Sequence, residues 1–540
     1  MMKPAVLTIF FSLLLFSCTE KKSIKHPNVF RYNESKGIAT LDPAFAKSQV
    51  LIWPVNQLFN GLVQMDNQLS IKPSIAKSWK ISDNGKRYTF YLRNDVRFHN
   101  SKIFHNGKGR IVTAQDFEYS LNRIINPKTG SPGAWIFNQV AEKGITAIND
   151  TTLQIELKNP FPAFLGLLTM PYCYVVPKEA LDYYKQDFRN HPVGTGPFQF
   201  KFWKEGEKLI LTKNPNYFEK DKNGNPLPYL DAVSITFIND KQSEFLEFLK
   251  GNIDFISGLS PANKDELITR NGHLNPKYDN SIKMISQPYL NTEYLGFLLD
   301  TSKISNKNSP VLNKKIRKAI NYGFDRNKMM KYLRNNIGTP ATYGFIPKGM
   351  PSFSEEIKGY NYNPGKTREL LNEAGYKNGE GLPPINLTTT SDYLDLCEYI
   401  QQELSQFGIE INIDVSTGAT FREMVANSKL EFFRGSWIAD YPDAENYMAL
   451  FYSKNFSPAG PNYTHYANNE FDMLYQKAMN ETADSIRFKL YHKMDQIIIN
   501  DAVVVPLYYD EVVRFVHKNI NGFESNPMNL LNLKHVSKTK

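Results

Sequence analysis

The chain has 540 residues, of which 41% are hydrophobic and 22% charged, a composition that excludes an intrinsically disordered chain. At roughly 100–200 residues per domain, this length indicates several cores or one large α/β receptor or enzyme. The formal net charge is +10, but the 64 basic and 54 acidic residues are mixed throughout, without a basic arm or zinc-finger spacing, so we expect no nucleic-acid partner.

The first segment of the chain has the pattern of an export signal. Lys3 precedes an apolar run over 5–16, which is too short to span a bilayer as a helix. The junction that follows resembles a bacterial lipobox, in which the cysteine is diacylated and becomes the mature N-terminus. The resemblance implies a signal peptide over 1–17, a lipidated Cys18 and a tether over 18–28. The alternative is an ordinary signal peptide that happens to contain a cysteine.

Strand and helix patterns alternate in the first half of the mature chain. Residues 88–93 are rich in aromatic residues and predict a strand. Thr113 and Asp116 form a capping pattern before an apolar stripe at helical spacing, which predicts a helix. Cys173 and Cys397 are too far apart in sequence to establish a disulfide, and free buried thiols are the simpler interpretation.

The clearest unit lies in the second half. A predicted strand over 385–389 precedes a helix over 392–407, and alternating isoleucines predict a further strand over 409–415. This is a βαβ pattern, so at least one lobe is expected to be α/β. A strand over 503–509 comes close to the C-terminus and indicates that the end of the chain returns to an earlier lobe.

Motifs for catalysis and cofactor binding are incomplete. Lys366 follows a glycine as in a phosphate-binding loop, but the earlier glycine of that loop is missing, and the segment is better explained as a helix start. His99 and His105 form the only close histidine pair and have no third ligand nearby. We therefore predict no metal, no cofactor and no catalytic residue, although a triad assembled from distant residues stays open.

Several short segments occur in a characteristic order and spacing. They are Ile38–Pro43, Pro73–Trp79, Ser82–Arg93, Val193–Phe198, Arg317–Arg326 and Leu370–Tyr376. Together they resemble the large extracytoplasmic solute-binding proteins of ABC importers, in the family that includes oligopeptide and dipeptide receptors. The resemblance extends from about Ile38 to Tyr509, nearly the whole mature chain.

The resemblance implies an α/β fold of the periplasmic-binding-protein type, specifically type II in its large cluster C form. Two lobes would be joined by a hinge, with an extra subdomain on lobe I. The chain would cross between the lobes, so that lobe I is discontinuous in sequence. The expected ranges are 29–61, 186–285 and 507–540 for lobe I, 62–185 for the extra subdomain and 286–506 for lobe II.

The segment from Arg434 to Asp443 carries the implied ligand site. It is similar to a Trp-x-x-Asp stretch of peptide-binding relatives, whose aspartate receives the ligand's α-ammonium. That role falls on Asp440, whereas the alternative is an aspartate that caps a turn. Arg434 would meet the ligand's carboxylate, or else form a surface salt bridge. Trp437 would be an apolar wall of the cleft, or else a core tryptophan.

Further ligand contacts are implied by position. The backbone from Ser436 to Ile438 would bind the peptide main chain as an added strand. Lys47 and Gln49 lie where relatives have a loop that touches the ligand, and Tyr294 lies where the family's chain crosses between lobes.

The function implied is that of a receptor rather than an enzyme. A lipid-anchored monomer on the periplasmic face of a membrane would capture peptides by hinge closure and deliver them to an ABC permease and its ATPase subunits. The first alternative is the same scaffold with a metal chelate, an opine or an oligosaccharide as solute, and the second is an exported hydrolase.

Overall fold

A computed structural model describes residues 28–258, 261–304 and 307–539. The predicted signal peptide, Cys18 and most of the tether lie outside this part of the chain. The strands are β1 Val29–Asn33, β2 Val63–Met65, β3 Ile71–Pro73, β4 Ala76–Ser82, β5 Arg87–Leu92, β6 Val140–Asn149, β7 Thr152–Leu157, β8 Phe198–Lys204, β9 Lys208–Lys213, β10 Ala232–Thr236, β11 Phe255–Ser257, β12 Ile282–Phe297, β13 Thr339–Pro340, β14 Ile385–Thr389, β15 Ile411–Val415, β16 Phe432–Ile438, β17 Val504–His517, β18 Ile520–Asn521 and β19 Ser537–Lys538.

The α-helices alternate with these strands along most of the chain, so the fold is mixed α/β as the sequence predicted. They are α1 Gln49–Leu58, α2 Ala114–Ile125, α3 Phe164–Leu167, α4 Lys178–Tyr184, α5 Lys241–Leu249, α6 Pro261–Leu267, α7 Lys314–Tyr322, α8 Arg326–Leu333, α9 Pro364–Glu373, α10 Leu394–Ser405, α11 Gly418–Ala426, α12 Glu445–Met448, α13 Asn469–Asn480 and α14 Asp484–Asp501. Within the described residues, no helix combines the length and hydrophobicity needed to cross a membrane.

The predicted βαβ unit is confirmed. β14 and β15 pair in parallel, with Ile385 opposite Ile411 and Thr389 opposite Val415, and α10 connects them. The helix buries Leu396, Ile400 and Leu404 at one-turn spacing against the sheet. The chain then turns at Gly408, whose φ of +74° favours glycine and where a β-carbon would collide with the backbone oxygen of Asn378.

Two local predictions from side-chain chemistry are also confirmed. Thr113 caps α2, and the Asp116 carboxylate accepts a hydrogen bond from the Thr113 backbone N–H at 2.9 Å. Asn363 caps α9 by accepting from the Lys366 backbone N–H at 2.9 Å. The glycine–lysine pair therefore begins a helix, as expected, because the N–H groups that could hold a phosphate are part of an ordinary helix cap.

One large mixed sheet connects both halves of the chain. Its strand order is β15-β14-β16-β12-β17-β11-β1-β10-β9-β8, with β13 also paired to β17. The two long central strands have two different sets of partners. The first half of β12 (282–288) pairs with the last part of β17 (511–517), next to β11. The second half of β12 (292–297) lies between the first part of β17 and β16.

The strand predicted over 503–509, which is β17, is longer than the sequence predicted. The expected strand over 503–509 continues in β17 to His517, because Val512, Phe515 and Val516 are buried against the half of the sheet that contains β11. A second sheet, in the order β4-β5-β7-β6, belongs to the segment predicted as the extra subdomain.

Buried apolar residues form separate cores on the two sides of the long strands. One core contains residues between Phe30 and Phe255 together with the C-terminal segment after β17, and two others are built almost entirely from residues 290–508. The exact lobe boundaries stay predictions. Cys173 and Cys397 lie in two different cores as free, buried thiols.

We expect Ile400→Ala to lower the free energy of unfolding by about 2–5 kcal/mol, because it leaves a cavity in the α10–sheet interface. Gln402→Ala on the exposed face of the same helix is the matched control and should stay within about 0.5 kcal/mol of the wild type. Urea unfolding of both variants measures the difference. Equal stabilities would contradict the assignment of Ile400 to the core.

Candidate functional site

The β16 strand has one edge that is paired and one that is largely open. On one side, Arg434 to Ile438 pair with β12, so that Leu295 lies opposite Arg434 and Asn291 opposite Ile438. On the other side, β14 pairs only with Phe432 and Phe433, since β14 ends at Thr389 where the chain turns into α10. Over the described residues, no strand pairs with this second edge beyond Phe433. Its backbone groups are therefore available to another extended chain.

Asp440 follows the end of β16, and its carboxylate is oriented by an amide. The Asn446 side-chain nitrogen donates to Asp440 Oδ2 at 3.4 Å, and the Asp440 backbone N–H donates to Asn446 Oδ1 at 3.3 Å. The residue is exposed, but surrounding protein atoms displace enough water to raise the pKa of its carboxyl group, which the Asn446 contact lowers in part. Among the described residues, no basic group forms an ion pair with it.

The three predicted residues at the end of β16 are placed beside Asp440. Trp437 is half-buried and donates its indole N–H to Asn446 Oδ1 at 2.8 Å, so one amide orients both Trp437 and Asp440. Ser436 is also half-buried, and Ile438 is 48% exposed. Trp437 also packs against the adjacent core, and its role as an apolar wall of the ligand cleft stays a prediction.

The segment after Asp440 contacts the predicted extra subdomain. The ring of Tyr441 lies 6.4 Å from that of Trp135, centroid to centroid, and Tyr441 is buried in the same core as the residues of that subdomain. Burial raises the pKa of Tyr172 to about 12, and the charge of Asp440 contributes to this increase. Asp440 therefore lies between the predicted lobe II and the predicted subdomain. A cavity of about 840 Å³ is lined by Pro442 and Asp443, which follow in the chain, but not by Asp440 itself.

Arg434 is engaged in a buried ion pair within the protein. Its guanidinium donates to Glu293 Oε2, and the side chains are only 11% and 3% exposed. The guanidinium carbon also lies 3.2 Å from the ring centroid of Tyr393. Burial raises the pKa of Glu293, an effect that the nearby Arg434 opposes. The salt-bridge alternative is thus realised, in a buried form, and contact of Arg434 with a ligand carboxylate stays a prediction.

The other predicted contacts lie in different environments. Tyr294 is 3% exposed, covers Gly435 and packs edge-on against Phe345, so it belongs to the core. Gln49 begins α1 and donates to the backbone oxygen of Asn529 at 3.0 Å. Lys47 is exposed, without an ion pair to any residue that the structure describes. The ligand roles of these three residues stay predictions.

The two histidines singled out in the sequence lie in different environments, His99 buried and His105 exposed. His99 is buried, with Nε2 3.0 Å from the Gly196 oxygen and Nδ1 accepting from the Gly194 N–H at 3.3 Å, and burial lowers its pKa to about 4. Over the described ranges, no group of three or more histidine, cysteine or acidic residues could hold a metal ion.

The sequence did not indicate Asn446 or Glu293. Asn446 is 6% exposed at the beginning of α12, six residues after Asp440, and no motif marks it. Glu293 follows Asn291 and Thr292 in β12, and only the register of β12 against β16 brings it close to Arg434. Only the structure shows that Glu293 is buried and so needs a partner.

We expect Arg434→Met to lower the free energy of unfolding by about 3–5 kcal/mol, because Glu293 would be left buried without a counter-ion. Adding Glu293→Gln should recover much of the lost free energy of unfolding, since it removes the uncompensated charge. Urea unfolding of the ligand-free single and double variants tests the coupling. A single variant as stable as the wild type would show that the pair does not hold the structure together.

Comparisons with known proteins agree with this geometry. The family model described as "Bacterial extracellular solute-binding proteins, family 5 Middle" matches residues 70–458. The chain is 27% identical to the dipeptide-binding protein DppE of Bacillus subtilis, over 96% of this chain and 93% of that protein. It is 26% identical to the glutathione-binding protein GsiB of Salmonella choleraesuis, over 90% of this chain and 89% of that protein.

A solved structure has the same fold. The ABC transporter-associated periplasmic binding protein DppA of Helicobacter pylori, in complex with the peptide STSA, matches with a TM-score of 0.76 and 26% identity, over 95% of this chain and 98% of that one. The predicted two-lobed binding-protein fold is therefore confirmed. The chain belongs to the family 5 bacterial extracellular solute-binding proteins.

Proposed function

We propose that this protein is the receptor of a peptide-importing ABC transporter and that Asp440 binds the α-ammonium of the peptide. The observation that carries the proposal is a carboxylate with no cation among the described residues, placed beside the open edge of β16. An ammonium would supply the charge that Asp440 lacks, and a peptide main chain would pair with the open strand edge.

The two parts of the site select for different features of a ligand. Charge-assisted hydrogen bonds to Asp440 fix one end of the peptide and offset the loss of water. Main-chain hydrogen bonds along β16 depend little on side-chain identity. The resulting receptor accepts many peptide sequences but requires a free amino terminus. Dipeptide- and peptide-binding proteins among the relatives support this ligand class.

Capture would proceed by closure about β12 and β17, the two strands common to both halves of the large sheet. The closed receptor, a monomer, would deliver its peptide to a membrane permease and the associated ATPase subunits. The pattern of residues 1–17 supports export, and diacylation of Cys18 would hold the receptor at the periplasmic face of a membrane.

We expect Asp440→Asn to weaken binding of a free-amine peptide about 30-fold or more, because the ammonium would lose its counter-charge in a partly dehydrated cleft. Acetylation of the peptide's amino terminus should cause a comparable loss in the wild type and little further loss in the variant. Isothermal titration calorimetry with both peptides measures these affinities.

The matched control is Asp414→Asn, which removes one exposed carboxylate from β15 and should leave peptide affinity unchanged. Equal binding of free and acetylated peptides by the wild type would contradict the role of Asp440. If no peptide binds while a metal chelate, an opine or an oligosaccharide does, the ligand class itself is wrong.

A receptor should return its ligand chemically intact. We expect mass spectrometry after incubation with a peptide mixture to find a subset of peptides bound to the protein and none cleaved, because no catalytic constellation was identified in the sequence. Accumulation of fragments would instead favour the exported hydrolase. An inactive preparation is excluded by requiring that the same sample binds peptide in the calorimeter.

A further inference from the structure

A second carboxylate without an ion pair lies where the long strands pass from one half of the sheet to the other. Pro288 is opposite Glu511 and Thr292 is opposite Tyr509, so three residues of β12 face the single residue Asp510 of β17. This bulge interrupts the ladder and turns polar side chains away from regular strand pairing. Asp510 is partly buried there.

Asn291 connects Asp510 to Glu293. Its side-chain nitrogen donates to Glu293 Oε1 at 3.0 Å and to Asp510 Oδ2 at 3.3 Å. The other Asp510 oxygen accepts from the Glu511 backbone N–H at 2.8 Å. These contacts hold the Asp510 carboxylate in place but do not neutralise its charge.

Two basic groups in this region, Arg434 and Arg334, are already engaged, and the charge of Arg334 acts on Asp510 from a distance. Arg434 is paired with Glu293, and Arg334 is paired with Asp395 at 2.9 Å. In the described part of the chain, no basic group lies within ion-pair distance of Asp510. Of the two carboxylates in the cluster of Asn291, Glu293 and Asp510, only that of Glu293 therefore has a cation as its partner.

The Asn291 side chain gives an independent sign of a missing donor. The residue is 3% exposed, and its Oδ1 has no hydrogen-bond partner. The amide cannot be reversed to satisfy this oxygen, because its nitrogen must face the two carboxylates. A buried acceptor without a partner is unfavourable, and a donor bound beside Asp510 would remove that penalty.

Two tyrosine rings, those of Tyr393 and Tyr289, lie close to these carboxylates. Tyr393 stacks on the guanidinium of Arg434, which shows that a cation is already accommodated against a ring in this place. Tyr289 lies in the bulge. Burial raises the pKa of its phenol, and the charge of Asp510 adds a smaller increase. The chemistry next to Asp510 thus combines carboxylate, amide oxygen and aromatic faces, which suits an ammonium or guanidinium group.

We propose that Asp510, positioned by Asn291, is a specificity-determining residue that binds a second cation on the ligand, the side chain of a lysine or arginine. The inference rests on the proposed peptide-receptor function, in which Asp440 takes the α-ammonium. It adds a side-chain preference to a site whose main-chain contacts have none.

The test compares peptides that differ in one charge. Three tripeptides of alanine with a single lysine, at the first, second or third position, are titrated beside the same peptides with norleucine, which has a similar length and no charge. We expect at least one lysine peptide to bind the wild type about 10- to 100-fold more tightly than its norleucine partner. Asp510→Asn should reduce that ratio to nearly one.

The control variant is Glu511→Gln, which removes a neighbouring charge whose carboxylate accepts from Ser286 Oγ rather than from Asn291. It should keep the lysine preference, and equal melting temperatures establish that both variants are folded. A ratio near one in the wild type, or an equal ratio in wild type and Asp510→Asn, would overturn the assignment of Asp510.

The two proposals fail in different ways. If lysine and norleucine peptides bind equally well and acetylation abolishes both, the α-ammonium site stands and the Asp510 site is wrong. If none of the six peptides binds, or if acetylated forms bind equally well, the peptide-receptor proposal itself is wrong and the inference falls with it.

Discussion

The pairing of β12 with β17 is the constraint on which the rest of the structure depends. Each strand is longer than its neighbours because it serves both halves of the sheet, with β11 on one side and β16 on the other. The two strands pair along most of their length, with register shifts at the bulge between Pro288 and Thr292 and again between Glu293 and Tyr294. The regular ladder resists separation of the halves, whereas the bulge is the natural place for a change of direction.

The same bulge explains where polar groups collect. Regular pairing would direct alternate side chains into the two cores, but Asn291 and Asp510 lie at the interruption and face each other instead. Glu293 follows within the resumed ladder and is neutralised by Arg434 on the neighbouring strand. Two neighbouring acids therefore differ in their partners: Glu293 has a cation within the fold, and Asp510 has none within ion-pair distance among the described residues.

Local sequence patterns predicted the elements well, and they did so where contacts are close in sequence. The stripe containing Ile400 and Leu404 and the cap at Thr113 depend on residues one helical turn apart, so both could be found. The extension of β17 could not, because Asp510 and Glu511 interrupt the apolar pattern and only pairing with β11 and β12 shows that the strand continues.

The candidate site was predictable in its position along the chain but not in its electrostatics. Resemblance directed attention to the stretch that ends at Asp440, and the structure places an open strand edge beside it. Whether a charged residue is available to a ligand depends on partners distant in sequence. Glu293 lies 141 residues from Arg434, and its ion pair follows only from strand register.

The Arg434–Glu293 pair also indicates how a cationic ligand would be held. A guanidinium there is covered by the Tyr393 ring and bonded to a carboxylate, so its charge is compensated without bulk water. Asp440 and Asp510 offer acceptors of the same kind without their cations. Enclosing such carboxylates while empty is unfavourable, since burial favours the protonated form. A ligand cation would remove that penalty as the halves approach, and water would replace the cation as they separate, which couples capture to closure and release to opening.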